Sequence, residues 1–251
     1  MKNLIFVIAA LIFSALVHAA DEQAVLQWSN RVELSVPVSG VVRSVNVNVG
    51  DQVKKGQMLL ALDNVIFQAK VNEILASITR LTAEEAEAKK DLDRVKELYE
   101  RTVVATAEFD QAKLRMVRAE SMLAEARANL KLQQKGLEDS VLRAPFDAVV
   151  VSRQVEPGMS VASTLQPQTL LVLAKSGEMT ARIYLGAALI EKLKVGQSAT
   201  VVSSGQSYSG KIKALGLEPS KHDGAASYQV DVTFASKEQL RAGAAAVVKL
   251  P

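Results

Sequence analysis

Between residues 71 and 99, apolar side chains recur at alternating intervals of three and four. Positions 71, 74, 78, 81, 85, 88, 92, 95 and 99 are all apolar except Glu85. The same spacing starts again at Phe109 and runs through 112, 116, 119, 123, 126, 130, 133 and 137, broken only at Gln133. Such a repeat gathers its positions on one stripe of a helix, so two heptad helices are predicted to meet along that stripe. Residues 64 to 135 contain neither glycine nor proline and are rich in Ala, Glu, Lys, Leu and Arg, which favours long helices. The stretch RTVVATA, residues 101–107, lacks the stripe and is predicted to be the turn of an antiparallel hairpin. Arms of roughly 35 residues at about 1.5 Å per residue would make a rod about 50 Å long.

On either side of this region the period falls to two. In VPVSGVVRSVNVNVGDQV, residues 36–53, Val45, Val47 and Val49 alternate with Ser44, Asn46 and Asn48, the pattern of short, half-buried strands. APFDAVVVSRQVEPGMSV, residues 144–161, repeats that phrase, with Pro37 matching Pro145, Gly50 matching Gly158 and Val53 matching Val161 at one offset and with no gap. Gly50-Asp51 and Pro157-Gly158 read as turns, so Gly50 and Gly158 are expected at equivalent corners of the two copies. Lys55-Gly56 marks a further turn before a strand from Met58 to Leu62. A half-sheet this small buries little by itself, and the two copies are expected to pack face to face as a flattened barrel.

The last third alternates as well. Tyr228, Val230, Val232 and Phe234 interleave with Gln229, Asp231 and Thr233, which predicts another half-buried strand, and residues 186–192 read as a short helix. At the other end, Lys2, an apolar run from Leu4 to Val17 and the small residues Ala19 and Ala20 have the layout of a secretory signal peptide. Cleavage is expected after Ala19 or Ala20, with an uncleaved membrane anchor as the alternative. The run is shorter than the roughly 20 residues of a spanning helix.

Composition removes several function classes. The chain has no cysteine, which excludes a disulfide framework and a thiol nucleophile, and its net charge of +3 is too small to suggest nucleic acid. Once a signal peptide is removed, His222 is the one histidine left, in the loop-like EPSKHDGAAS, so a histidine-based metal centre or catalytic triad is poorly supplied. Met58, Met116, Met122, Met159 and Met179 show no repeated spacing and are expected to fill gaps in the core rather than bind metal. No enzymatic role, cofactor or metal is therefore expected.

Two resemblances follow from these motifs. The stretch from Gly40 to Asp63 resembles the first half of a biotinyl/lipoyl carrier domain, and LRAPFDAVV resembles the start of the second half. Carriers attach their cofactor to a lysine between the halves. Here that place reads Leu62-Asp63-Asn64-Val65-Ile66, so covalent cofactor attachment is not expected and a carrier role in a multienzyme complex is disfavoured.

The wider order, lipoyl-like half, hairpin, lipoyl-like half and β domain, resembles periplasmic adaptor subunits, or membrane fusion proteins, of tripartite efflux pumps. RVKELYERTVVATAEFDQA, residues 94–112, is similar to that family's hairpin tip, where an Arg, a Leu four later and a Ser seven after that contact the outer-membrane channel. Arg94 and Leu98 match, while Ala105 stands in the place of the Ser. On the helical wheel both matching residues lie off the seam, which would leave Leu98 exposed beside Arg94. Since Ala105 offers no side-chain cap, Thr106 is expected to cap the second helix one residue later.

The resemblance implies an α+β multidomain fold: a lipoyl-like β-sandwich, or barrel-sandwich hybrid, interrupted by a long antiparallel α-helical hairpin and followed by a small β-barrel. The expected segments are a signal peptide over 1–20, the lipoyl-like halves over 21–63 and 141–177, the hairpin over 64–140 and the barrel over 178–251. The phrase from Leu240 to Val248 resembles the closing strand of that barrel. No evident membrane-proximal domain follows it, which is the short form of the family. The implied role is a periplasmic link between an inner-membrane efflux transporter of the resistance-nodulation-division type and a TolC-type outer-membrane channel. A hexameric ring is implied as well, while an adaptor for an ABC-type exporter or a protein secretion system is the alternative. Channel docking would fall to Arg94, Leu98, Ala105 and Thr106.

Overall fold

The computed structural model describes residues 21–162, 168–222, 224–238 and 240–250. The expected signal peptide, residues 1–20, lies outside them. The first elements are β1 (Asp21–Trp28), β2 (Val32–Leu34), β3 (Gly40–Val45), β4 (Gln52–Val53) and β5 (Met58–Leu62). Two long helices follow, α1 (Val65–Glu100) and α2 (Thr106–Asp139). Next come β6 (Val141–Arg143), β7 (Ala148–Arg153), β8 (Ser160–Val161), β9 (Leu171–Lys175) and β10 (Glu178–Leu185). The chain ends with α3 (Ala187–Ile190), β11 (Ser198–Ser203), β12 (Gln206–His222), β13 (Ala225–Ala235) and β14 (Ala245–Lys249). These elements form two compact units, Arg31–Ala174 and the described residues on either side of that range.

In the first unit, two four-stranded sheets, in the orders β2-β9-β7-β4 and β6-β5-β3-β8, enclose a core that includes Val42, Leu59, Leu60, Val150 and Leu171. Each such side chain withdrawn from water contributes about 1.5–3 kcal/mol. The two copies of the repeated phrase do not face each other as separate half-sheets. Each sheet takes strands from both copies: Val53 pairs with Ala148 across β4 and β7, and Gly40 pairs with Val161 across β3 and β8. Exchange follows from strand length. Two-residue strands such as β4 and β8 have too few ladder bonds to stand alone and find their partners in the other copy. The predicted alternation holds at the buried Val47 but not at Val49, which is 61% exposed because the chain turns there into Gly50.

The hairpin springs from neighbouring strands of one sheet. Leu60 of β5 pairs with Leu142 of β6, and the amide of Leu62 donates to the Ser140 carbonyl at 2.8 Å, so the outgoing and returning helices share one footing. Among the predicted seam positions, Val71, Leu81, Val95, Ala112, Met116, Leu123 and Ala126 are buried, and Glu85 and Gln133 are half-buried on the same stripe.

The second unit is a closed barrel in the order β1-β10-β13-β12-β11-β14. Residues 21–28, expected in the first lipoyl-like half, form β1 of this barrel instead. Ala24 and Leu26 point into its core, and β1 pairs with both β10 and β14, so it closes what would be an open edge. His222, expected in a loop, ends the long strand β12, pairs with Ala225 and stacks on Tyr184 with ring centroids 4.0 Å apart. The short helix falls at Ala187–Ile190, inside its predicted range. The methionines divide: Met116 and Met179 are buried, while Met58 and Met122 reach the surface.

Candidate functional site

The distal end of the hairpin is closed by backbone hydrogen bonds. The Thr102 amide donates to the Tyr99 carbonyl at 2.9 Å, and the Val103 amide donates to the Leu98 carbonyl at 2.9 Å, the double closure of a Schellman motif. Thr102 occupies the left-handed position with φ of 48° to 60° shared by few side chains, its own value being 60°. That place usually belongs to glycine, and a β-branched residue there stores backbone strain. Beyond it, Val103 stands 66% exposed. On the other arm, Phe109 stacks on Tyr99 with centroids 5.0 Å apart and planes within 9°.

Leu98, expected to be exposed, is half-buried against the hairpin, and its carbonyl is taken up by the closure. The reason is direction: helix side chains lean toward the preceding turn, which draws Leu98 back over the hairpin's flank. Val103 and Tyr99, which the tip motif does not name, are the apolar residues that reach solvent there. Strong exposure at Val103 was not visible in the sequence, because it depends on how the turn closes.

Ala105 itself holds the N-cap position of α2, in extended conformation and with no side-chain cap bond. Thr106 is therefore the first helical residue and not the cap; its hydroxyl lies 3.5 Å from that of Tyr99 on the opposite arm. The α2 amides at Glu108 and Phe109 donate to the Ala105 carbonyl at 3.0 and 3.3 Å, which fixes where the helix starts.

Arg94 is exposed along 72% of its side chain but is not a free cation. Its Nη2 donates to Asp91 Oδ1 at 2.5 Å, and Arg115 Nη2 on α2 donates to Asp91 Oδ2 at 2.6 Å. The Arg115 hydrogen bond, followed by that of Arg94, holds the Asp91 carboxyl below its ordinary value. The same bond to Asp91 raises Arg94. Gly50 and Gly158 sit in turns with φ of +93° and +87°. Among the described residues no group of three or more His, Asp or Glu side chains could hold a metal ion, and no helix is long and apolar enough to cross a membrane.

This combination of an interleaved two-sheet body and a two-helix rod rooted in it defines a class of proteins. Residues 30–174 match the CzcB-like barrel-sandwich hybrid domain, and the chain belongs to that family, which is one of membrane fusion proteins. It is 31% identical to the cobalt-zinc-cadmium resistance protein CzcB of Cupriavidus metallidurans over 174 residues, covering 66% of this chain and 32% of that protein. With the macrolide export protein MacA of Yersinia pestis it shares 26% identity over 227 residues, 84% of this chain and 61% of that one. The chain thus spans 32% of the first of these relatives and 61% of the second. The crystal structure of MacA from Actinobacillus actinomycetemcomitans superposes with a TM-score of 0.75 at 21% identity, over 92% of this chain and 78% of that one, which shows a common fold.

Proposed function

We propose that this chain is a periplasmic adaptor that links an inner-membrane efflux transporter to a TolC-type outer-membrane channel. The observation that carries the reading is the rod itself. Two helices of 36 and 34 residues leave adjacent strands of one sheet and end in a tip that exposes Val103, Tyr99 and Arg94. A two-helix rod buries only a narrow seam and offers most of its outer face to neighbours, which suits it to reaching and docking. Arg94, Leu98, Ala105 and Thr106 are the docking positions that the tip motif suggests, with Leu98 contributing from the flank. The role is mechanical, and turnover belongs to the transporter.

We further propose a transporter of the resistance-nodulation-division type, the reading suggested by the resemblance of the segment order to tripartite-pump adaptors. An ABC-type exporter is the second reading, favoured by the longer match to a macrolide export protein. Periplasmic location, a cleaved signal peptide and assembly as a homo-oligomeric ring belong to the same proposal.

The absence of cysteine makes the test direct. A single Val103→Cys, treated with a thiol crosslinker in intact cells, is expected to give an adduct with the outer-membrane channel. Lys211→Cys, exposed on β12 of the barrel, serves as the control and should give none. A folded, exported protein whose tip yields no adduct would overturn the docking reading.

A further inference from the structure

We propose that Asp91 is a positioning residue for channel docking: it ties Arg94 on one arm of the hairpin to Arg115 on the other and so presets the guanidinium at the tip. This inference rests on the docking reading above. It starts from the ion pairs of the hairpin. Arg80 with Glu84, Lys96 with Glu100, Arg101 with Glu97 and Lys135 with Asp139 all lie within one helix at a spacing of four. Among the described residues, the Arg115–Asp91 contact is the ion pair that joins the two arms.

Asp91 also differs from its acidic neighbours in exposure. Its side chain is 22% exposed, whereas Glu97 and Glu100 in ion pairs nearer the tip are 63% and 65% exposed. One oxygen takes Arg94 and the other takes Arg115, so each is committed to a different helix. A long arginine side chain on a helix surface samples many rotamers, and fixing it at the moment of docking costs part of the binding energy. With Asp91 in place that cost is met during folding. Arg94 spends Nη2 on Asp91 while its side chain stays 72% exposed, so its other guanidinium hydrogens are accessible to carbonyl or carboxylate acceptors. Because Asp91 lies beside the seam, the cluster also couples the direction of Arg94 to the register of the two helices.

The test uses the full-length exported protein with a benzophenone amino acid at Val103 as a photo-crosslinker. Asp91→Asn keeps the size and removes the charge. Crosslinking to the channel is expected to fall roughly ten-fold, the factor that corresponds to losing one charge-assisted hydrogen bond's worth of orientation. Asp91→Glu is expected to recover most of the yield, and Arg115→Gln to lower it in the same direction as Asp91→Asn. Thermal melting of each variant, followed by helical circular dichroism, should stay close to that of the parent, because exposed ion pairs contribute little to stability. Parental crosslinking that persists in Asp91→Asn would overturn the positioning role and leave docking intact. Loss of yield in parallel with loss of melting temperature would overturn it too, by reducing Asp91 to a structural brace. Absence of crosslinking in the parent would instead remove the docking reading itself.

Discussion

The backbone amide of Gly50 donates to the carbonyl of Val150 at 2.8 Å, a bond from the first copy of the repeated phrase to the second. At the matching positions the Gly158 amide donates to the Val42 carbonyl, also at 2.8 Å. The return bonds match as well, Val150 to the Asp51 carbonyl at 2.9 Å and Val42 to the Met159 carbonyl at 2.8 Å. Each copy therefore supplies the corner that completes the other, and the body that carries the hairpin is closed only when both are present.

The glycine corners lead to the first prediction. Gly50 and Gly158 have φ of +93° and +87°, and a Cβ at either would meet nothing within 4 Å. Replacement by alanine thus costs backbone strain alone, about 1–2 kcal/mol at each site. Urea unfolding of Gly50→Ala and Gly158→Ala should show lower midpoints by similar amounts. A silent substitution at one corner would mean that the two are not equivalent.

A second prediction concerns the start of α2. Ala105 occupies the N-cap and Glu108 lies three residues on, so Ala105→Ser would complete a capping box. The gain is expected to be about 0.5–2 kcal/mol in the stability of the hairpin. Hydrogen exchange at the Ala107 amide should slow in the variant; unchanged exchange there would show that the new hydroxyl does not cap the first turn.

Acid should loosen the cluster at Asp91. Its carboxyl is depressed below the ordinary value of 3.8 by Arg115 first and Arg94 second. A group with a lowered folded value stabilises the folded form above the unfolded value and loses that contribution as pH falls through the folded one. The bridge is thus expected to be complete at neutral pH and to open only below about pH 3.8, as protons reach Asp91. Carbon-detected NMR titration of the Asp91 carboxyl checks this, and Arg115→Gln should move its midpoint upward. A midpoint at or above 3.8 in the parent would show that the bridge does not form in solution.

Much of this architecture could be read from periodicity. A stripe every three or four residues marks a helix that buries one face, and two such stripes of equal length can bury each other; positions such as Val71, Leu81, Met116 and Leu123 are where the repeat puts them. The strand Met58–Leu62 and the turns at Gly50 and Gly158 were equally legible, since alternation and glycine act locally. Arg94 and Leu98 stand out in the sequence as docking candidates, by their place off the seam and by resemblance.

Tertiary structure alone decided the rest. Nothing local to residues 21–28 tells whether that strand joins the body beside it or the barrel far along the chain; the open edge between β10 and β14 settles it. No spacing rule announces that Asp91 would face Arg115 across 24 positions, because a contact between arms depends on the register in which they pack. Local pattern determines which elements form and which faces they bury; their edges, caps and cross-links are determined by whatever the folded chain brings next to them.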